Sequence, residues 1–260
     1  MISGYTRLLA LVGDPVSHSL SPRIHGEFCE TLGLDYVYLA FNLLPDGLQG
    51  FFAAARLLGI QGFNATMPFK NEAFKLCDRL GPSADCGSVN TVVFRDGVST
   101  GHSTDGAGLV RAIEGAGVAV TGKSALILGT GGTAKSAEAA LKKAGAEVET
   151  RSMRIQDMRT AKGRPYRETD ILINATPLGM EGFDNFASLD FVAALPGSAL
   201  VFDTIYAPRR TALLQAAQER RGLRTLGGIS LLVHQAALSF KLFTGKAPDE
   251  GVVRRLIETL

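Results

Sequence analysis

The sequence predicts an α/β protein built from two domains. Short β-rich runs alternate with longer helical ones, the pattern of parallel sheets with crossover helices. The chain has 260 residues, which falls where single hydrophobic cores stop growing efficiently and chains divide. The apolar run Ser124–Leu128 also passes straight into the glycine-rich turn Gly129–Gly132 and then into an alanine-rich helix. That last arrangement predicts a Rossmann-type, doubly wound second domain.

The elements follow in order. Leu8–Val12 reads as the first strand. Ser21 and Pro22 then open a helix through Thr31, with Ser21 as its N-cap and Pro22 at the first helical position. Tyr36–Phe41 is a second strand, Gly47–Leu58 a helix, Gly62–Thr66 a third strand and Asn71–Arg79 a helix. Asn90–Arg95, the turn Asp96-Gly97 and a short run to Gly101 form a hairpin, because Asp-Gly tolerates the positive φ angles of a two-residue turn. A small-residue helix at Gly106, Ala107 and Gly108 leads into the second series. Its strands are Ser124–Leu128, Glu147–Thr150, Ile171–Asn174 and Leu200–Asp203. Its helices are Ala134–Ala144, ended by Gly145, and Arg210–Arg221, stopped by Gly222. Two last helices run over Ser230–Phe243 and Asp249–Leu260, and the basic stretch Arg151–Glu168 carries little pattern.

Composition narrows the class. Apolar residues make up 46% of the chain and charged ones 20%, which supplies a core and excludes wholesale disorder. The balance of 27 basic and 25 acidic residues is too even to predict nucleic acid or an anionic membrane as the main partner. Cys29, Cys77 and Cys86 show no CxxC spacing, so a disulfide framework is not expected, nor is a metal. The short apolar stretch Leu8–Gly13 is closed by Asp14, and no run reaches the length of a membrane span. A soluble cytoplasmic enzyme acting on a small molecule, as monomer or homodimer, is the expectation.

The glycine turn carries the strongest local chemistry. Glycine permits a tight turn and close approach of a pyrophosphate, whose charge the helix N-terminus favours. A phosphate-binding loop of the Walker type would need glycine before the lysine, where this chain has Ala134 before Lys135. Taken alone, such a turn also serves as a close-packed corner with no ligand. About 20 residues past the first glycine a carboxylate would select NAD and an arginine NADP. Glu149 stands at that spacing, but Arg151 and Arg154 follow with Ser152 between them, and paired guanidinium groups favour NADP over NAD. Glu149 also reads as a solvated strand residue.

Four polar clusters punctuate the first half: Gly13–His25, Asn64–Lys70, Gly87–Thr91 and Gly101–Gly106. Each alone reads more readily as turn chemistry than as catalysis. Together and in order they resemble the shikimate dehydrogenase family. The GxPxxHSxSPxxH segment is matched at Gly13–His25, N-x-T-x-P-x-K at Asn64–Lys70, G-x-V-N-T at Gly87–Thr91 and T-D-G-x-G at Thr104–Gly108. The glycine turn, Asn174–Met180, Asp203–Pro208 and a Gln235 segment follow in family order, so the likeness spans nearly the whole chain.

The resemblance implies reversible NADPH-dependent reduction of 3-dehydroshikimate to shikimate, in aromatic amino acid biosynthesis. It implies Lys70 and Asp105 as the catalytic pair, and Ser19, Ser21, Thr66, Asn90, Tyr206 and Gln235 as substrate ligands. The cofactor segments it implies contain Gly129, Thr130, Gly131, Gly132, Thr150, Arg151, Ser152, Arg154, Ala175, Thr176 and Gly228. Residues 1–104, completed by helices in 232–260, would form the substrate-binding domain, and 105–231 the NADP-binding domain. The chain departs from the family pattern at Thr150 and Ser152 in an Asn-Arg-Thr segment, at Ser103, at Ser230 and at Gly26. Two other readings stay open: a relative acting on quinate or aminoshikimate, with NAD as an option, and a non-catalytic NADP- or metabolite-binding regulator. The pair of serines at Ser19 and Ser21 favours shikimate over quinate, and no basic tail or helix-turn-helix pattern suggests a DNA-binding regulator.

Overall fold

The computed structural model describes residues 2–84, 86–152, 164–220 and 222–260. The chain divides into two compact units, Met1–Asp105 with Val233–Leu260 (unit 1) and Gly106–Leu232 (unit 2).

Unit 1 opens with the repeated strand–helix pattern β1 (Arg7–Gly13), α1 (Ser21–Thr31), β2 (Tyr36–Asn42), α2 (Leu48–Leu57) and β3 (Gly62–Ala65). It continues with α3 (Lys70–Leu76), β4 (Arg79–Leu80), β5 (Thr91–Arg95) and β6 (Val98–His102). The six strands form one mixed sheet in the order β2-β1-β3-β5-β6-β4. β1 lies between β2 and β3 and is parallel to both, so successive crossovers leave it in opposite directions. The β5–β6 hairpin pairs Arg95 with Val98 across Asp96 and Gly97, whose φ angles of 52° and 76° match the predicted Asp-Gly turn. Period-two alternation divides the core. Ala10, Val12, Phe63 and Val92 pack with Leu48, Phe52 and Ala55 of α2, whereas Leu9, Leu11, Tyr38 and Val93 pack with Phe243 on the other side. Helix α9 (Glu250–Thr259) caps its own start through Asp249, whose carboxylate accepts from the Gly251 amide.

Unit 2 is a five-stranded, all-parallel sheet among the described residues. It contains β7 (Ser124–Leu128), β8 (Glu147–Arg151), β9 (Ile171–Asn174), β10 (Leu200–Asp203) and β11 (Arg224–Leu226). The spatial order is β11-β10-β9-β7-β8, with neighbours parallel throughout. Alternate residues feed two cores, as a sheet buried on both faces requires. Ala125 and Ile127 pack with α4 (Asp105–Gly115) and α5 (Gly132–Lys143), while Leu126 and Leu128 pack with Tyr166 of α6 (Arg164–Arg167), Phe191 and α7 (Ala212–Glu219). This is the doubly wound fold, and its strand order reverses between β7 and β9. Ligands of such sheets bind beyond the carboxyl ends of the strands at that reversal. Gly106 lets α4 approach α5, since a Cβ there would stand 2.1 Å from the Ser136 carbonyl oxygen. The Gly106 amide donates to Ser136 Oγ at 2.8 Å instead.

Several expectations need correction. Ser21 is not the N-cap of α1. Leu20 holds that position with no side-chain cap, and Ser21 is already helical, its amide donating to Ser19 Oγ at 3.2 Å. The helix predicted over Asn71–Arg79 starts at Lys70 and stops at Leu76, because Arg79–Leu80 pairs with β6 as a short edge strand. Helix α7 starts at Ala212, capped by Thr211, whose hydroxyl accepts from the Leu214 amide. Helix α8 (Gly228–Thr244) starts two residues before the predicted Ser230, and the division between the units falls within it. No described helix is long and apolar enough to cross a membrane.

Candidate active site

The fold of unit 1 delivers polar side chains to one place from several strand and helix ends. Lys70 is the first residue of α3, just beyond the β3 exit, and Asp105 is the first of α4. Their side chains meet, with Lys70 Nζ 2.5 Å from Asp105 Oδ2 and side-chain exposures of 20% and 10%. A charge pair this sheltered is screened far less than a surface pair. The other carboxylate oxygen, Asp105 Oδ1, accepts from Asn90 Nδ2 at 2.7 Å. Asn90 is buried just before β5, and its Oδ1 accepts from the Thr104 amide at 2.8 Å and the Thr91 hydroxyl at 3.0 Å. Gln235 on α8 joins through Oε1, 3.3 Å from Asn90 Nδ2 and 3.4 Å from Thr104 Oγ1.

A second group of polar residues extends from this cluster. Ser19 Oγ and Ser21 Oγ lie 3.2 Å apart. The buried Tyr38 hydroxyl donates to Asn64 Oδ1 at 2.7 Å. Burial pushes the Tyr38 phenol well above its ordinary range, with the nearby Ser21 side chain opposing that shift. Asn64 Nδ2 in turn donates to the Asn90 carbonyl oxygen and to Thr91 Oγ1, each at 3.0 Å. Thr66 follows β3, and its amide donates to the Val12 carbonyl at 2.9 Å.

Unit 2 builds its candidate site mainly from backbone. Gly129 leaves β7 with φ of 119°, and a Cβ there would lie 2.7 Å from the Ala175 carbonyl oxygen, so only glycine fits. Its amide donates to the Arg151 carbonyl at 2.8 Å, while the Ala175 amide donates to the Leu128 carbonyl at 2.8 Å. The glycine turn is therefore tied to the exits of both β8 and β9. Gly131 is the N-cap of the twelve-residue α5, no side chain caps it, and a Cβ on it would meet nothing within 4 Å. An uncapped helix start with open space before it suits an anion.

Arg151 is the last residue of β8. Its Nε donates to Glu149 Oε1 at 2.6 Å, and its guanidinium lies 5.5 Å from the Tyr166 ring centroid. Glu149 is thus exposed and paired with Arg151. Past β9, Asn174 Oδ1 accepts from the Thr176 hydroxyl at 2.6 Å, and Asn174 Nδ2 donates to Asp203 Oδ1 at 3.0 Å. Burial raises the Asp203 carboxyl above its usual range, opposed by donors from Thr211, Ile205 and Asn174. Burial likewise raises the Tyr206 phenol, which follows β10.

Lys70, Asp105, Asn90 and Gln235 thus come together in one cluster, which Tyr38 joins through Asn64 and Thr91, while Ser19 and Ser21 bond each other. Tyr206 belongs to unit 2. Thr130 sits exposed in the glycine turn between Gly129 and Gly131, Gly132 begins α5, and Ser152 follows β8. Thr150 donates to Glu138 Oε2 at 2.9 Å, and Gly228 begins α8. Arg154 lies outside the described residues. The sequence reading missed Tyr38 and the Asn174–Asp203–Thr211 network. A phenol at a core position of β2, and a carboxylate ending the buried run Leu200–Asp203, were the available signals, since buried polar groups need partners.

A doubly wound unit with an uncapped glycine turn at its reversal, in one chain with a sheltered lysine–carboxylate pair, defines an α/β enzyme of the dinucleotide-binding class. Residues 11–92 match the model of the shikimate dehydrogenase substrate binding domain, and residues 228–258 that of the shikimate 5'-dehydrogenase C-terminal domain. A shikimate dehydrogenase (NADP(+)) from Geobacter sp. (strain M21) is 37% identical, covering 98% of this chain and 96% of the relative. A shikimate dehydrogenase crystallised with NADP+ superposes with a TM-score of 0.87 at 32% identity, over 99% of this chain and 96% of that one. The enzyme from Thermus thermophilus, solved with NADP(H) and shikimate, gives a TM-score of 0.86 at 30% identity, over 97% of this chain and 99% of that one. The chain belongs to the shikimate dehydrogenase family.

Proposed function

We propose that this chain reversibly reduces 3-dehydroshikimate to shikimate with NADPH, in the cytoplasm, as a step of aromatic amino acid biosynthesis. The observation that carries the reading is the Lys70–Asp105 pair, 2.5 Å apart, sheltered and held by Asn90. Unit 1 is the substrate-binding domain in this account, and unit 2 the NADP-binding domain.

Hydride arrival at a ketone carbon builds negative charge on the carbonyl oxygen. The Lys70 ammonium stabilises that charge and gives up a proton to make the alcohol. Asp105 keeps the ammonium aimed and accepts a bond from a substrate hydroxyl, while Asn90 holds the carboxylate in place. In the reverse direction Lys70 takes the proton back as the carbinol loses hydride. Ser19, Ser21, Thr66, Gln235 and Tyr206 are assigned to the substrate's hydroxyls and carboxylate, groups that need matched partners when desolvated.

The cofactor, when bound, supplies the hydride. The features of unit 2 fit it. The open face of Gly131 and the uncapped start of α5 suit the pyrophosphate, with Gly129, Thr130 and Gly132 shaping the turn. The Arg151 guanidinium at the end of β8 suits a 2′-phosphate, flanked by Thr150 and Ser152. Ala175, Thr176 and Gly228 are assigned to the cofactor's remaining contacts.

The test is a panel of shikimate, quinate and aminoshikimate, each with NADP+ and NAD+, followed by nicotinamide absorbance. Shikimate with NADP+ is expected to give the highest kcat/KM. Preference for quinate or aminoshikimate would move the chain to another branch of substrates. NADP binding without turnover of any pair would make it a regulator.

A further inference from the structure

Asn90 faces the Asp105 carboxylate with its amide nitrogen, and the hydrogen bonds behind it decide that it does. An asparagine amide has a donating end and an accepting end of nearly equal shape, so packing alone does not choose between them. Asn90 is buried, and its Nδ2 lies 2.7 Å from Asp105 Oδ1. The reversed amide would set a carbonyl oxygen against the carboxylate and take a donor away from it. The Thr104 hydroxyl does not discriminate between the ends, since it lies 2.9 Å from Nδ2 and 3.2 Å from Oδ1. The Thr104 backbone amide at 2.8 Å and the Thr91 hydroxyl at 3.0 Å do discriminate, because both donate to Oδ1.

The direction of the Thr91 proton is itself fixed. Asn64 and Thr91 stand directly opposite each other on β3 and β5, which puts their side chains on one face of the sheet. The Asn90 main-chain carbonyl can only accept, and it takes one proton of Asn64 Nδ2 at 3.0 Å. The second Asn64 amide proton goes to Thr91 Oγ1 at 3.0 Å, while the Tyr38 hydroxyl donates to Asn64 Oδ1 at 2.7 Å. Thr91 Oγ1 thus already accepts, and its own proton points at Asn90 Oδ1. Thr104 Oγ1, 3.4 Å from Thr91 Oγ1, lies beyond the usual range of a hydroxyl-to-hydroxyl bond. Thr91 is 0% exposed, so solvent does not compete for the proton.

We propose that Thr91 is a positioning residue for the catalytic pair, holding the Asn90 amide with its nitrogen toward Asp105. This rests on the reading of Lys70 and Asp105 as that pair, and Thr91 acts on it only through Asn90. Protons are donated in one sense along the row Tyr38, Asn64, Thr91, Asn90 and Asp105, ending on Oδ1 of the carboxylate whose Oδ2 meets Lys70. Bonds donated in one sense reinforce one another. Valine has the shape of threonine without the proton, so Thr91→Val removes this control and leaves an Asn64 N–H unmatched. Asp105 keeps its charge in that variant, but Asn90 holds it less firmly and Lys70 is aimed less well.

The experiment is a double-mutant cycle of Thr91→Val and Asn90→Ala, with Thr91→Ser alongside, reading kcat, KM for shikimate, KM for NADP+ and thermal melting. Thr91→Val alone is expected to lower kcat about five- to tenfold, the range of one hydrogen bond, with KM for NADP+ within about twofold. Thr91→Ser keeps the proton and is expected to hold kcat within about twofold of wild type. In the Asn90→Ala background, Thr91→Val is expected to change kcat by less than about twofold, because its route to Asp105 is gone. An equal fall in both backgrounds, Thr91→Ser as slow as Thr91→Val, or Thr91→Val as fast as wild type would overturn the proposal. Should Thr91→Val not fold, Thr91→Ala takes its place, since it differs from Thr91→Ser only in the hydroxyl. The reading of the pair is tested apart, by the loss of turnover in Lys70→Ala. If Lys70→Ala keeps wild-type turnover, that reading fails and the proposal falls with it.

Discussion

Unit 1 builds its polar site from side chains that bond one another, from Tyr38 through Asn64, Thr91, Asn90 and Asp105 to Lys70. Unit 2 leaves its glycine turn uncapped and carries its site largely on backbone amides at the reversal between β7 and β9. A side-chain site is sensitive to the identity of each group, since removing one partner strands another. A backbone site tolerates many side-chain changes yet is sensitive to any added Cβ. The two units should therefore fail in different ways, and substitutions can test whether they do.

The largest effect after loss of Lys70 itself is expected from Asp105→Asn. It keeps the shape and the Asn90 neighbour but removes the charge that aims Lys70, and kcat should fall about 10²-fold or more. NADP+ affinity, measured by calorimetry, should hold. Loss of cofactor affinity in this variant would break the separation between the two sites.

Next come the glycines of unit 2. Gly131→Ala meets nothing within 4 Å, so melting should not move, yet its methyl intrudes where the pyrophosphate is assigned. Weakening of NADP+ binding by about tenfold or more, at unchanged Tm, is the expected result. Gly129→Ala, strained at φ of 119° and 2.7 Å from a carbonyl oxygen, should instead lower stability by about 1–3 kcal/mol in a chemical denaturation curve. Equal behaviour of the two variants would contradict the distinction between an open and a packed glycine. Arg151→Ala should raise KM for NADP+ about tenfold or more while leaving that for NAD+ nearly unchanged, as expected of a phosphate partner.

The smallest effect on catalysis, and a distinct effect on stability, belongs to His25. Burial pushes its imidazole from 6.5 down to about 3, so the unfolded chain binds a proton that the folded chain refuses. Its stabilisation is complete above the unfolded value and is lost as pH falls through the window from 6.5 to about 3. The loss is about 1.4 kcal/mol per pH unit. His25→Phe should flatten that part of the stability–pH curve, measured by urea unfolding, and an unchanged slope would contradict it.

Much of this organisation was legible in the sequence. The Asp96-Gly97 turn and the apolar strand leading into Gly129 report local rules, and the structure follows them. Ser21 misled because a serine before a proline looks like a cap, whereas its own amide is satisfied by the Ser19 hydroxyl just upstream. The edge strand β4 was hidden because a two-residue pairing leaves no period to read. Motif order brought Lys70 and Asp105 together, separated by 35 positions, but could not reveal Tyr38. Its setting depends on a stack with His25 and a bond to Asn64, contacts made by residues 13 and 26 positions away.

The central claim is that Lys70 stabilises and protonates the oxygen that receives charge during hydride transfer. Its most direct test is the single-turnover rate of NADPH oxidation on rapid mixing with 3-dehydroshikimate, wild type against Lys70→Ala, at saturating substrate. The account predicts a rate about 10³-fold slower or more, with unchanged melting and unchanged NADPH affinity. A rate within about tenfold of wild type would contradict it.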